Sequence, residues 1–193
     1  MINFEKITKS NLETAIKIQN SIFPKENGAL NLKFSVDQDF MVKFYGGKYR
    51  ETLDFWLCKN ENEDIVGITG IYSYCGYLPD DAWLGWYGVL PEHRKRGYGE
   101  EILLLTMEKA KEMGFKNFRL YTDLIDNRDA VNLYRKIGMI EEPYLVEDMG
   151  NEKILIFSKS LCSNEIEKLG DKNLFLKKQE EVQKASDQLN LKL

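Results

Sequence analysis

The chain has 193 residues, of which 43% are hydrophobic and 30% charged, a composition typical of one globular domain with a short extension. Its net charge of −4 argues against a general nucleic-acid binder, which needs a broad basic face. No apolar run approaches the roughly 20 residues of a membrane span, and residues 1–7 lack a signal-peptide core, so we expect a cytoplasmic protein that does not bind membranes.

The ligands that zinc prefers are too sparse for a metal cluster. Cys58, Cys75 and Cys162 lie far apart without a C-x-x-C pair, and the chain has a single histidine. We therefore expect neither a structural disulfide nor a bound metal.

The N-terminal part of the chain predicts one strand and two helices. Residues 4–8 suit a strand, and the Ser-x-x-Glu spacing that begins at Ser10 is that of a capping box before a helix that ends near Phe23. Residues 25–31 suit a loop, and residues 36–45 suit a second helix. This loop and helix either line a substrate pocket or cover a sheet edge, and the sequence does not choose between the two roles.

Three strands are predicted next. Residues 52–58 and 65–74 are rich in β-branched and aromatic side chains and predict a hairpin. A further strand over residues 82–90 completes an antiparallel meander. Gly85 and Gly88 weaken this last strand, which is typical of a bulge or of close approach by a ligand.

Helix and strand then alternate. Residues 100–113 give a helix with one apolar side that ends at Gly114, and a strand follows over residues 117–122. The helical crossover makes this strand a parallel neighbour of the preceding one, and the C-terminal end of such a pair is a natural ligand crevice. Asp126 is the expected N-cap of another helix, which ends at Gly138.

The predicted domain covers residues 1–162. It closes with strands near residues 140–146 and 153–158, on either side of a turn at residues 148–151. Residues 163–193 are charged, with intermittent apolar side chains. We expect them to form a helical extension that either docks loosely or is ordered by a partner.

The stretch from Trp83 to Leu105 combines a strand, a basic loop and the start of a helix. The Arg-Lys-Arg sequence at residues 94–96 adjoins Gly97 and Gly99, where backbone N–H groups and a helix N-terminus converge. We expect an anion site here rather than a merely solvated loop. No Walker loop is present, and Ile102 follows where a dinucleotide fingerprint needs a third glycine.

The sequence Arg94-x-x-Gly97-x-Gly99 lies between a strand that ends Val89-Leu90-Pro91 and an apolar helix. It resembles motif A of the GNAT superfamily of N-acetyltransferases, a Q/R-x-x-G-x-G/A loop that binds the pyrophosphate of acetyl-coenzyme A.

The downstream sequence is similar to motif B of the same family, N-x-x-A-x-x-L-Y-x-x-x-G-F. Asn127, Ala130, Tyr134 and Gly138 match this pattern, and Met139 stands where phenylalanine is usual. The motifs fall within residues 65–140, the family's order of elements extends over residues 1–160, and the tail has no counterpart.

The resemblance implies an α+β GNAT fold. Its mixed, mostly antiparallel sheet of six or seven strands is flanked by helices and contains a central parallel pair that splays at the cofactor site. Acetyl-coenzyme A is the implied cosubstrate. The implied cofactor-binding residues are Val89, Leu90, Arg94, Lys95, Arg96, Gly97, Tyr98, Gly99, Asn127 and Ala130.

These positions have physical roles. Without Cβ atoms, Gly97 and Gly99 let the loop backbone approach an anion, and Arg94 and Arg96 add charge-assisted hydrogen bonds. By resemblance, the N–H of Val89 lies beside the acetyl carbonyl, whose oxygen needs a donor as charge develops on it.

Tyr134 matches the family's tyrosine acid, which protonates the leaving thiolate. On spacing alone it is a core aromatic of an amphipathic helix, but the accompanying match at Asn127, Ala130 and Gly138 favours the catalytic role. Asn127, otherwise a helix cap, matches the family position near the pantetheine arm.

The general base and the acceptor pocket are less defined. Trp83 stands where relatives often carry a carboxylate base, and Asp80 and Asp81 are either acids that act through water or solvated turn residues. His93 is expected near phosphate rather than as a base. The candidate acceptor-binding residues, which are alternatively sheet core, are Tyr72, Tyr74, Asp81, Trp83, Trp86 and Tyr87.

The resulting hypothesis is an N-acetyltransferase that moves the acetyl group of acetyl-coenzyme A directly to a primary amine of a small molecule or peptide, in a ternary complex. The alternative is a non-catalytic acyl-coenzyme A sensor whose residues 163–193 bind a protein partner. The sequence leaves the acceptor open, and both a monomer and a homodimer agree with it.

Overall fold

The computed structural model describes residues 1–26, 28–124, 127–144, 154–163, 165–166 and 168–170. Their helices and strands are, in chain order, β1 (Asn3–Lys6), α1 (Leu12–Ile22), α2 (Ala29–Val36), α3 (Gln38–Tyr45), β2 (Arg50–Lys59), β3 (Ile65–Tyr74), β4 (Asp81–Leu84), β5 (Gly88–Val89), α4 (Tyr98–Glu112), β6 (Asn117–Asp123), α5 (Arg128–Lys136), β7 (Ile140–Pro143) and β8 (Ile154–Ser160).

The described strands form one mixed sheet in the order β1-β2-β3-β4-β6-β8-β7, and β5 also pairs with β3. The β1–β2, β2–β3, β3–β4, β3–β5 and β7–β8 pairs are antiparallel, and β4 and β6 are parallel. The α+β class and the central parallel pair are therefore confirmed. The chain divides into two compact units after Phe118.

Two faces of β3 carry different helices in the first unit. Thr69 of β3 hydrogen-bonds Thr106 of α4 through their hydroxyl groups, 2.9 Å apart and fully buried. A Cβ atom on Gly88, which pairs with the neighbouring residue Ile68, would lie 2.5 Å from Ile22 of α1. Since successive strand residues point to opposite faces, α1 and α4 cover opposite sides of the sheet.

The helix α4 packs the side that its sequence predicted. Its fully or nearly buried residues recur at helical spacing. Among the described residues, none of the helices is long and apolar enough to cross a membrane. The buried positions are Ile102, Leu103, Thr106, Met107 and Ala110.

The helical region before β2 differs from the expectation. Residues 29–31 begin α2 instead of belonging to a loop, and the predicted helix over residues 36–45 is divided at Asp37. The Asp37 side chain accepts a hydrogen bond from the N–H of Phe40 at 3.0 Å, so it caps α3. Aspartate competes well for this position, which explains the break.

The expected capping box of α1 was also wrong. The N-cap is Asn11 rather than Ser10, and the Asn11 side chain accepts from the N–H of Thr8 at 2.8 Å. The Ser10 hydroxyl lies 2.8 Å from the Thr8 hydroxyl. The polar side chains therefore close the preceding turn instead of capping the helix.

The predicted strand over residues 82–90 is two short strands, β4 and β5, so the described part of the sheet has eight strands rather than six or seven. Between them, the N–H of Gly85 donates to the carbonyl of Gly70 at 2.8 Å. The glycines that weakened the strand prediction thus mark a real interruption.

The second unit contains most of β6, with α5, β7 and β8. Buried Arg119 donates to the hydroxyl of Ser158 at 2.8 Å, which joins side chains of β6 and β8. Asn127 is the N-cap of α5, one residue after the expected Asp126. Asp126 and the predicted turn at residues 148–151 lie outside the described residues.

Two backbone groups near residue 170 attach to β7. The N–H groups of Leu169 and Gly170 donate to the Glu142 carboxylate at 2.9 and 3.2 Å. Most of the extension at 163–193 lies outside the described residues, so the domain boundary at residue 162 stays a prediction.

Candidate functional site

The backbone of β5 presents one edge away from its partner strand. Gly67 and Val89 are directly opposite, and the N–H of Leu90 donates to the carbonyl of Val66 at 2.9 Å. Antiparallel pairs alternate between hydrogen-bonded and non-bonded positions, so the N–H and carbonyl of Val89 point away from β3. The carbonyl of Val89 accepts from Nε of Arg94 at 3.0 Å, which agrees with this orientation.

The connection from β5 to α4 is a concave run of backbone. A short 3₁₀ turn, Pro91–His93, is followed by Lys95 with φ of 61° and Gly97 with φ of 85°. Alternating left- and right-handed residues direct successive N–H groups into one concavity that suits an anion. A Cβ atom on Gly97 would meet nothing within 4 Å, and α4 starts at Tyr98 without a side-chain cap.

Three exposed cations surround this concavity. Arg94 is oriented by its bond to the Val89 carbonyl, and Arg96 donates to the carbonyl of Glu92 at 3.2 Å. Together with Lys95 they add positive charge to the N-terminal end of the α4 dipole. The loop therefore fits a phosphate or pyrophosphate group.

Tyr87 holds the first turn of α4 in place, a role that the sequence did not reveal. Its hydroxyl donates to the carbonyl of Gly99 at 2.6 Å, in the first turn of α4. Its ring packs on the same buried cluster as Val89, Tyr98 and Leu105. Tyr87, expected to contact the acceptor, thus ties the start of α4 to the segment that precedes β5.

Gly67 was also missed as a site residue. A Cβ atom here would lie 2.3 Å from the carbonyl oxygen of Gly88 and 3.3 Å from Cα of Val89. A glycine inside a buried strand marks close backbone approach, and that signal could have identified it. Gly67 allows β5 to lie against β3.

The aromatic candidates separate into two groups. Trp83 is fully buried, with its ring centroid 6.4 Å from that of Tyr72 and 5.8 Å from that of Tyr74. All three side chains are buried in the sheet. Trp86 is only half-buried, and its ring centroid lies 5.2 Å from that of Phe23 at the end of α1.

The two candidate acids lie at the start of β4. Asp80 forms an ion pair with Lys116 at 3.1 Å, and buried Asp81 accepts from the Asn117 side chain at 2.7 Å. Both contacts join β4 to the start of β6. His93, in the loop, has its ring centroid 6.3 Å from that of Tyr98.

The second unit carries the motif B residues on α5. Asn127 is exposed at the N-cap, where its carbonyl accepts from the N–H of Val131 at 2.9 Å, and Ala130 is half-buried. Tyr134 is 4% exposed and packs against Phe157, with ring centroids 5.2 Å apart. Burial raises the pKa of Tyr134 well above its usual range, so its hydroxyl keeps its proton at neutral pH.

Solved structures with the same fold include acetyltransferases. A protein of Desulfovibrio desulfuricans assigned to the GNAT family has a TM-score of 0.65 at 14% identity, covering 84% of this chain and 100% of that one. The spermidine N-acetyltransferase of Vibrio cholerae, solved with CoA and spermine, has a TM-score of 0.59 at 14% identity, covering 83% of this chain and 95% of that one.

Sequence comparison agrees with the fold. The chain is 32% identical over 97 residues to the uncharacterized N-acetyltransferase YjgM of Escherichia coli strain K12, an alignment that covers 50% of this chain and 57% of YjgM. The chain thus spans little more than half the length of the curated relatives it matches. The sequence pattern of the acetyltransferase (GNAT) family matches residues 17–139. The chain therefore belongs to the acetyltransferase (GNAT) family.

Proposed function

We propose that this protein is an N-acetyltransferase that transfers the acetyl group of acetyl-coenzyme A directly to a primary amine of a small molecule or peptide, in a ternary complex. The observation that carries the proposal is the outward-facing N–H of Val89 directly before an uncapped, basic helix start. A donor for a carbonyl oxygen and a cradle for a pyrophosphate are thus next to each other along the chain.

The cradle consists of the loop from Arg94 to Gly99. The N–H groups around Lys95 and Gly97 receive anionic oxygens, and Arg94 and Arg96 neutralise their charge. Because Arg94 also bonds the Val89 carbonyl, the same side chain links the anion site to the edge of β5. The donor set fits the phosphate end of acetyl-coenzyme A.

The N–H of Val89 then orients the acetyl carbonyl and stabilises the negative charge that develops on its oxygen. Removing one such donor costs about 100- to 1,000-fold in turnover in other acyl-transfer enzymes. When bound, acetyl-coenzyme A supplies a thioester: the acceptor nitrogen bonds to its carbonyl carbon, the carbon–sulfur bond breaks, the nitrogen loses a proton and the sulfur gains one.

Tyr134 supplies the proton to the sulfur. This role rests on the match of Tyr134 to the motif B tyrosine; burial raises the pKa of its hydroxyl, which therefore carries its proton at neutral pH. No carboxylate of β4 is assigned as base, because Asp81 is held by Asn117. We propose that the acceptor reacts as a free amine and that its proton passes to water.

Two solved relatives act on amines of different size, spermidine in one case and the alanine of a ribosomal protein in the other. Both structures resemble this chain in fold only, at 13% and 14% identity. They support an amine acceptor and leave its size open.

The test combines calorimetric titration of the protein with acetyl-coenzyme A and a free-thiol assay across a panel of amines. We expect saturable binding and amine-dependent thiol release. Binding without transfer to any amine would instead favour the acyl-coenzyme A sensor, and absence of binding would refute both functions.

A further inference from the structure

An arginine enclosed by tyrosines begins β2. The guanidinium carbon of Arg50 lies 4.5 Å from the ring centroid of Tyr49 and 4.2 Å from those of Tyr72 and Tyr74. We call these four residues the Arg50 cage. Such distances place the cation over three aromatic faces at once.

The charge of Arg50 has no carboxylate partner among the described residues. Its Nη1 atom is buried and makes no hydrogen bond there. The acids nearest in sequence are engaged elsewhere: Glu51 pairs with Lys48 at 2.8 Å, and Asp54 pairs with Lys6 at 2.8 Å. A buried guanidinium donor without an acceptor is costly, so the cage is suited to an anionic ligand.

Arg50 stays charged despite its surroundings. Burial lowers its pKa, but the tyrosines Tyr74, Tyr72 and Tyr49 raise it by more, so the pKa is above the usual arginine range. The Arg50 residue as a whole is only half-buried, while its Nη1 atom is buried against the tyrosine rings.

The Arg50 cage lies on the sheet face that carries α1. Tyr72 and Tyr74 are separated from Ile68 by even numbers of residues along β3, so their side chains point to the same face as that of Ile68. This is the face of α1, because Gly88 pairs with Ile68 and approaches Ile22 of α1. Arg50 is directly opposite Tyr74 in the β2–β3 register, so its side chain is on the same face.

Register also gives the distance from the cage to the proposed acetyl site. Trp83 pairs with Tyr72, and Val89 pairs with Gly67, five residues earlier on β3. At the rise of a strand, the levels of Tyr72 and Gly67 are about 17 Å apart. The level of Arg50, which is opposite Tyr74, is about 23 Å from that of Gly67. Long side chains shorten the gap, but a ligand that spans both places still needs several bonds between its two ends.

We propose that Arg50 binds a carboxylate of the amine acceptor, and that the acceptor is a short peptide or ω-amino acid whose carboxylate lies several bonds from the reacting amine. This inference rests on the proposed acetyl transfer. The planar guanidinium offers two parallel N–H donors to a carboxylate, and the tyrosine rings hold it in place.

The experiment compares peptides of about two to seven residues, which span up to about 23 Å when extended, with a free C-terminal carboxylate and with an amidated C-terminus. For the unchanged protein, we expect kcat/KM for the free carboxylate to be higher by about 10- to 100-fold, the usual range for a charge-assisted hydrogen bond. In Arg50→Gln this preference disappears, mainly through KM, while turnover of the amidated peptides stays the same.

Two further variants isolate the role of the guanidinium. Arg50→Lys keeps the charge without the planar fork and should retain part of the preference. Lys48→Gln removes an exposed cation two residues away and should retain all of it. If Arg50→Gln does not fold, Arg50→Met, which has a similar length and no charge, replaces it.

The outcomes are distinguishable. Equal kcat/KM for free and amidated peptides, or an equal loss for both in Arg50→Gln, overturns the carboxylate site and leaves acetyl transfer intact. If no peptide is acetylated, calorimetric titration with the same peptide pairs decides: tighter binding of the free carboxylate that is lost in Arg50→Gln supports the site, and equal affinities overturn it.

Discussion

Replacement of Gly67 by alanine provides the sharpest test of the arrangement around β5. The added Cβ would lie 2.3 Å from the Gly88 carbonyl oxygen, and real Cβ contacts are essentially never under 3.0 Å, so the atoms must separate by at least 0.7 Å. The obstacle is backbone rather than the tip of a flexible side chain. The strand that carries Val89 must therefore move.

The expected magnitude has two parts. Overpacking of a well-filled site costs about 1–3 kcal/mol of the free energy of unfolding. For a protein of this size, that lowers the melting temperature by about 2–12 °C. A shift close to 1 Å in a group that positions the reacting atoms costs about 100-fold in rate. Gly67→Ala should lose stability moderately and kcat/KM severely.

Gly47→Ala is the matched control, because a Cβ atom there meets nothing within 4 Å. Its effect on stability should stay within about 0.5 kcal/mol. The assays are calorimetric melting, titration with acetyl-coenzyme A, and thiol release measured well below the melting temperature. If Gly67→Ala matched Gly47→Ala in kcat/KM while melting earlier, the N–H of Val89 would have no part in positioning the acetyl group.

Three further predictions follow from the site and its buried groups. Tyr134→Phe should lower kcat by about 100- to 10,000-fold with little change in acetyl-coenzyme A affinity, because only the transferred proton is lost. Stopped-flow measurement of thiol release checks this prediction. An unchanged kcat would show that Tyr134 is not the acid. Arg94→Gln should weaken acetyl-coenzyme A binding by about 10-fold or more, through loss of a charge-assisted hydrogen bond. Titration at low and high salt tests this, and equal affinity of the two proteins argues against the loop as the anion site. Burial holds the pKa of Cys58 well above its usual range. Below about pH 8.5, the thiol is protonated in both the folded and the unfolded state. Above about pH 8.5, the unfolded state loses the thiol proton while the folded state keeps it. The free energy of unfolding should therefore fall by about 1.4 kcal/mol per pH unit. Urea denaturation between pH 9 and pH 10 measures how steeply the free energy of unfolding falls with pH. In Cys58→Ala this fall should be smaller by about 1.4 kcal/mol per pH unit. An identical fall in the two proteins would contradict a raised pKa at Cys58.

Local sequence predicted the helix α4 and the glycine loop before it, which form the proposed cofactor site. The apolar spacing from Ile102 to Ala110 specifies one buried helix face, and that face packs as predicted. The glycine at residue 97 takes a left-handed φ of 85°, which its lack of a Cβ permits without strain. Both features depend on residues within one or two turns, so the sequence alone was sufficient.

Non-local contacts were not predictable in the same way. The hydroxyl of Tyr87 finds the Gly99 carbonyl only because β5 and α4 meet in three dimensions. Arg50 reaches its tyrosines through the register of β2 on β3, and no local pattern specifies that register. The division of the predicted helix at Asp37 was missed because capping competed with continuous apolar spacing.

The hydrogen bonds of Glu142 have a practical meaning for shortening the chain. Residue Glu142 is 6% exposed and its carboxylate accepts hydrogen bonds from the N–H groups of Leu169 and Gly170, while Leu169 is 3% exposed. A chain cut after residue 162 would remove both hydrogen-bond donors from the buried Glu142 side chain, at a cost of about 1–3 kcal/mol, and would remove the buried Leu169 side chain from its contacts. The shortest version that keeps these contacts therefore ends no earlier than Gly170, eight residues beyond the last position of the catalytic domain suggested by composition.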